Sequence, residues 1–237
     1  MRNAMVGLIV PAAGMGVRLG VGMPKALYTV GGQTLLSHAV RAAVESGVVS
    51  AIVVAAPPGL ATRVLEFVQP EIPADVLVRV VDGGVSRQSS VRAALTAMSS
   101  DIDVVLVHDA ARCLAPPRLF AEVAAAVQAG RAAVVPGLEV VDTLKQVDRR
   151  GSVVDTPDRT VLRAVQTPQG FRRGLLQRAH DAATGDEATD DAGLVERLGQ
   201  PVYVVPGDES AFKVTRPLDL LLAEALLAAR AADEGHR

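Results

Sequence analysis

The stretch Met5-Val-Gly-Leu-Ile-Val10-Pro11-Ala-Ala-Gly14-Met-Gly16-Val-Arg18-Leu-Gly20-Val-Gly-Met-Pro24-Lys25 decides the fold. Its apolar opening, Met5 to Val10, predicts a buried strand that runs into a glycine-rich loop at Pro11. Glycines allow backbone N–H groups to approach a phosphate closely and tolerate positive φ. Arg18 and Lys25 add positive charge, and no Asp or Glu precedes Glu45. Such a loop suits a polyphosphate; the alternative is a glycine-rich turn with two solvated cations. Two familiar phosphate loops do not fit. A dinucleotide fingerprint needs G-x-G-x-x-G with an acid about 20 residues on; here the third glycine falls one place late and Thr34–Arg41 contains no acid. A P-loop needs G-x-x-x-x-G-K-[ST], whereas Lys25 stands between Pro24 and Ala26.

Outward from this loop, apolar runs alternate with helical patterns. Helices are predicted over Thr34–Ser46, with Thr34 as N-cap, Leu60–Val68, Ser89–Met98, Leu119–Gln128, Gly174–Ala183, Asp190–Leu198 and Leu218–Ala232. Strands are predicted over Ala51–Ala56, Val76–Val81, Val104–Val107, Ala132–Val135 (ended by Pro136) and Val202–Val205. Continuously apolar strands alternating with helices imply an α/β, Rossmann-like fold with a mostly parallel sheet covered on both faces. Residues 138–166 break the pattern. Gly151-Ser152 reads as a turn between extended pieces Thr143–Val147 and Val153–Thr156, so a β-arm is expected to project from one domain spanning residues 1–237.

Composition narrows the function. The net charge of −2 implies no basic face for nucleic acid. Aromatics are 3% of the chain, too few for base-stacking platforms. The single cysteine, Cys113, excludes an internal disulfide and a thiolate metal cluster within one chain, which suits a reducing cytoplasm. No apolar run reaches the roughly 20 residues of a membrane span, and the N-terminus lacks a signal-peptide pattern.

Several segments occur in a fixed order: Pro11-Ala-Ala-Gly14-x-Gly16-x-Arg18 with Pro24-Lys25, Val81-Asp-Gly-Gly84, Ser90-Val-Arg, Val107-His-Asp-Ala-Ala-Arg112, Asp142-Thr143-x-Lys145, Thr167-Pro-Gln, Ala188-Thr-Asp190 and Lys213-Val-Thr-Arg-Pro217. The first resembles the signature loop of sugar-phosphate nucleotidyltransferases. The ordered set resembles the 2-C-methyl-D-erythritol 4-phosphate cytidylyltransferases of the non-mevalonate isoprenoid pathway, over nearly the whole chain. The resemblance implies CMP transfer from CTP to a sugar-alcohol phosphate. It makes Arg18, Lys25 and Lys213 catalytic cations. Pro11, Ala12, Ala13, Gly14, Gly16, Gly83, Gly84, Ser90 and Ala110 become nucleotide-binding residues. Arg112, Thr143, Arg159, Thr167 and Thr189 become acceptor-binding residues. It also implies a homodimer whose arms, carrying Thr143, Arg159 and Thr167, exchange between subunits.

The residues themselves leave alternatives open. Asp109 at a strand end suits Mg²⁺, which takes one or two carboxylates plus substrate phosphates; otherwise it is an N-cap or loop aspartate. Arg112 either contacts substrate or pairs with Asp109, and His108 reads as structural. Ser90 also suits a helix cap, Thr189-Asp190 suits the cap of the following helix, and Lys213 also reads as a solvated lysine before the last helix. Cys113 stands where many family members have proline, an exchange expected to loosen that loop. Rival functions are transfer to a pentitol phosphate such as ribitol 5-phosphate, transfer to a hexose 1-phosphate, and non-catalytic nucleotide binding on the same fold.

Overall fold

The computed structural model describes residues 4–16, 22–185 and 188–234. An eight-stranded sheet forms its centre. Strand β1 (Val6–Pro11) lies in the middle, parallel to β4 (Val49–Ala56) on one side and to β6 (Val104–Val107) on the other. Strand β5 (Leu77–Asp82) extends the sheet beyond β4. Beyond β6 comes β11 (Gln169–Arg172), antiparallel both to β6 and to β7 (Ala133–Glu139). Strand β10 (Arg163–Val165) runs antiparallel to the far end of β7, and β12 (Tyr203–Pro206) runs parallel to β7. Strands β2 (Thr29–Val30) and β3 (Gln33–Thr34) form a separate small hairpin.

The continuous apolar runs are explained by burial on both faces. Along β1, Leu8 and Val10 pack into one cluster and Ile9 into the other. The first cluster holds α1 (Leu35–Glu45), α2 (Ala61–Val68) and α4 (Pro117–Gln128), through residues such as Leu36, Val64 and Phe120. The second holds α3 (Arg87–Ala97), α5 (Arg173–Ala182) and α6 (Asp191–Arg197), through Leu95, Leu176 and Val195. The last helix, α7 (Pro217–Glu234), covers a third, smaller cluster around Val30, Leu114 and Val214. Thr34 caps α1 as expected, its side chain accepting from the Ser37 N–H at 3.0 Å. Among the described residues no helix is long and apolar enough to cross a membrane.

Three expectations are corrected. Pro136 does not end its strand: β7 runs on to Glu139, and the Pro136 carbonyl accepts from the Gln166 N–H at 2.8 Å. Proline withholds only a donor, so the ladder continues where an acceptor is all that is needed. The turn at Gly151 lies where expected, but the hairpin it joins is shorter than predicted, with β8 (Gln146–Val147) pairing β9 (Val153–Asp155). Thr167 does not belong to the arm; it is buried against the central sheet, next to β11.

Candidate active site

Because β4 and β5 lie to one side of β1 and β6 to the other, the loops after β1 and β6 part company at the carboxyl ends of the strands. A crevice opens at such a switch point, where open α/β sheets bind ligands. Here it has a volume of about 300 Å³. Pro11, Ala12, Ala13, Gly14 and Gly16 form one wall; Lys25, Arg87, Asp109, Ala110 and Lys213 complete it. Arg18 lies outside the described residues.

The loop is shaped by two close approaches. The Lys25 N–H donates to the Gly14 carbonyl at 3.1 Å, folding the cation back over the loop. Gly16 sits there at φ +65°, and a Cβ on it would come within 2.6 Å of the Lys25 Cβ. Behind the loop, a Cβ on Gly83 would meet the Ala13 Cβ at 2.5 Å. Gly83→Ala is therefore expected to push Ala13 into the crevice and, if the crevice takes the CTP that the resemblance implies, to weaken its binding about tenfold, an effect of ~1.4 kcal/mol. Calorimetric titration of CTP checks this; an unchanged Kd would mean that the Ala13 wall does not touch nucleotide.

Gly84 and Ser90 do not line the crevice but support its rim. The Ser90 hydroxyl accepts from the Gly84 N–H at 3.1 Å and donates to the Ser86 carbonyl at 2.8 Å. Ser90 is thus not a cap. Ser86 caps α3, in a reciprocal capping box with Ser89.

Asp109 is the electrostatic centre. Arg87 Nε donates to its Oδ1 at 2.9 Å and Lys213 Nζ to its Oδ2 at 2.6 Å. Burial pushes this carboxyl upward, but Arg87 and Lys213 outweigh it and hold it far below the usual carboxylate range. Asp109 is therefore neither a cap nor the partner of Arg112, whose guanidinium donates instead to the carbonyls of Ala211 at 2.8 Å and Val165 at 3.1 Å. Lys213, read alternatively as solvated, is ion-paired.

Arg87 was not legible as a site residue. It is the first residue of α3, just past the glycine turn that follows β5, and that position was its one local signal.

A second, more polar recess of about 220 Å³ adjoins the crevice and shares Arg87, Asp109 and Lys213 with it. Arg112, Thr167, Thr189, Gln166, Gln169 and Asp190 contribute to its lining. Three of the five expected acceptor residues therefore meet here. The Thr167 hydroxyl accepts from the Asp109 N–H at 3.1 Å and reaches His108 Nδ1 at 3.0 Å, tying the recess floor to the strand end. His108 is buried against Phe120, and burial pushes its pKa down to about 4, so it stays neutral and structural. Asp190 caps α6, accepting from the Gly193 N–H at 3.0 Å. The Cys113 loop is closed by hydrogen bonds from the Arg112 N–H to the Asp109 carbonyl and from the Ala115 N–H to the Arg112 carbonyl, with the thiol buried.

Thr143 and Arg159 do not reach this recess from within the chain. Thr143 is exposed, and Arg159 lines a separate hollow with Glu139, Val141 and Arg163, donating to the Val141 carbonyl. The arm around them exposes Val141, Val147, Val153, Val154 and Val161.

Among the described residues no three His, Cys, Asp or Glu side chains gather into a metal-binding group. Asp109 has one N–H donor on each oxygen, which leaves lone pairs on both. That donor set fits a hard cation that keeps its waters and takes its other ligands from substrate phosphates; it does not fit an all-protein cage.

A glycine loop at the switch point, facing a buried carboxylate held between cations, defines a nucleotidyltransferase-type α/β protein. The model of the 2-C-methyl-D-erythritol 4-phosphate cytidylyltransferase family matches residues 6–229, and the chain belongs to that family. The chain is 52% identical to the enzyme of that name from Streptomyces avermitilis, over 98% of this chain and 96% of the relative. It is 53% identical to the one from Nocardia farcinica, over 94% of each. The crystal structure of the Thermus thermophilus enzyme superimposes with a TM-score of 0.76 at 41% identity, covering 94% of this chain and 98% of that one.

Proposed function

We propose that the protein transfers CMP from CTP to 2-C-methyl-D-erythritol 4-phosphate, yielding 4-diphosphocytidyl-2-C-methyl-D-erythritol and pyrophosphate, a step in isoprenoid precursor synthesis. The observation that carries this reading is the Arg87–Asp109–Lys213 cluster, which borders both the glycine-loop crevice and the polar recess. A nucleotide in the first and a phosphate monoester in the second would meet at these charges.

In the reaction an oxygen of the acceptor phosphate attacks the α-phosphorus of CTP. The bond to the bridging oxygen breaks, and pyrophosphate carries away the electron pair. A phosphate monoester is already largely ionised near neutral pH, so fixed positive charge matters more than a general base. Lys25 and Arg18 are assigned to the α-phosphate and the departing pyrophosphate, and Lys213 to the approaching acceptor. The backbone of residues 12–16 holds the triphosphate; Gly83, Gly84, Ser90 and Ala110 shape the site for the base and ribose. Asp109 would hold Mg²⁺, which when bound would offset charge on the phosphate oxygens. The buried thiol of Cys113 agrees with a cytoplasmic location.

The acceptor site is proposed to be completed by the arm of a second subunit. The arm's exposed valines favour coverage by a partner, and Thr143 and Arg159 lie away from their own recess. Arg159→Ala is expected to raise KM for the acceptor about tenfold or more, the worth of a charged hydrogen bond, while CTP affinity is unchanged. Equal losses for both substrates would remove the arm from acceptor binding.

The reading is tested by ³¹P NMR of protein with CTP, Mg²⁺ and 2-C-methyl-D-erythritol 4-phosphate. Two coupled diphosphate doublets and free pyrophosphate are expected. Persistence of the CTP signals alone would overturn it.

A further inference from the structure

Behind Asp109 the charges continue inward. Arg87 spans two carboxylates: its Nε donates to Asp109 Oδ1 at 2.9 Å and its Nη1 to Asp191 Oδ2 at 2.7 Å. Asp191, the first residue of α6, is buried, with 1% of its surface exposed. Its other oxygen, Oδ1, accepts from Nε2 of His180 on α5 at 2.9 Å, and His180 is fully buried. A continuous chain Lys213–Asp109–Arg87–Asp191–His180 thus joins the loop before α7 to the sheet end, α3, α6 and α5.

We propose that Asp191 is a positioning residue for cytidylyl transfer, fixing Arg87 so that Asp109 and Lys213 are held where the nucleotide and the acceptor meet. Burying a carboxylate this deeply is costly unless every lone pair facing protein has a partner. Here that cost is offset by two directed contacts, from Arg87 and from His180, at a carboxylate that lines neither the crevice nor the recess. A guanidinium is a rigid planar fork. With one nitrogen fixed to Asp191, the Nε that meets Asp109 is fixed in both position and direction. Without Asp191, Arg87 has Asp109 as its one remaining carboxylate and can swing about that single contact into the space where phosphates bind. A buried negative charge is also lost, so the crevice becomes more positive. The two consequences are separable. Anion binding holds or tightens, while catalysis falls because the cluster no longer sits in its productive geometry. A misplacement of about 1 Å can cost ~10²-fold in rate.

The inference rests on the cytidylyl-transfer reading, so the wild-type enzyme is assayed first; no turnover there would remove the reading itself. Given an active wild type, Asp191→Asn is expected to lower kcat about 10–100-fold, with KM for CTP unchanged or lower. Arg87→Lys, which replaces the two nitrogens that meet different carboxylates with one freely rotating ammonium, is expected to show the same split. The double variant should be no slower than the slower single variant, since both remove one linkage. A merely structural role would lower the melting temperature and the active fraction while leaving turnover per folded molecule and both KM values alone. His180→Gln is the milder second variant in case Asp191→Asn does not fold; a severalfold fall in kcat at unchanged KM is expected. Folded Asp191→Asn with wild-type kcat, losses that multiply in the double variant, or His180→Gln with wild-type kcat when Asp191→Asn is unfolded, would overturn the inference.

Discussion

Lys25→Ala is expected to lower kcat by about 10²–10³-fold while changing the dissociation constant of CTP far less. On the proposed reading the ground-state triphosphate already has partners among the loop backbone groups. The charge that grows as the bond to pyrophosphate breaks has Lys25 as its assigned partner. The backbone of Lys25 is held against the loop: its N–H donates to the Gly14 carbonyl, and Gly16 leaves room for its Cβ where any other residue would collide. A cation held in place before the reaction needs no reorganisation as charge develops. Steady-state turnover together with an equilibrium titration of CTP separates the two quantities. A variant with unchanged kcat and weakened CTP binding would make Lys25 a binding residue with no part in the chemistry.

Asp109→Asn is expected to lower activity at fixed Mg²⁺ by about 10²-fold or more and to raise the Mg²⁺ concentration needed for half-maximal rate. An amide offers one acceptor oxygen and turns two donors toward Arg87 or Lys213, which have only donors to offer in return. The fold should survive. Arg87 keeps Asp191, and the Lys213 side chain is 37% exposed, so water can take up its charge. Circular dichroism checks that point, and a Mg²⁺ titration of the rate checks the metal. An unchanged half-saturation would leave Asp109 as an anchor for Arg87 and Lys213 and would end its assignment as a metal contact.

Much of the architecture is legible because parallel strands covered on both faces are written as unbroken apolar runs, as in Val104–Val107. The missing strands have the opposite character. Arg163–Val165 and Gln169–Arg172 are short and mixed in composition, and they are strands because β6 and β7 supply their hydrogen bonds. The glycine loop, Asp109 and Lys213 could be found because each falls beside a strand end or a punctuating residue. Arg87 and Asp191 could not, because their meaning lies in a contact between residues 104 apart in the chain. Asp191 in particular looks like one more first-turn acid on a helix, and only burial distinguishes it. Thr167, expected among the acceptor residues by resemblance, lines the recess with Arg112 and Thr189 but was placed in the wrong structural element, because the arm's end is set by pairing with β7 and not by composition.

Pyrophosphate release is the most direct measurement of the central claim. The protein is supplied with CTP and Mg²⁺, and with 2-C-methyl-D-erythritol 4-phosphate or ribitol 5-phosphate in parallel. Release that requires 2-C-methyl-D-erythritol 4-phosphate, with little from the pentitol phosphate, is the predicted result. Release with ribitol 5-phosphate instead, or none with either acceptor from folded protein that binds CTP, would contradict it.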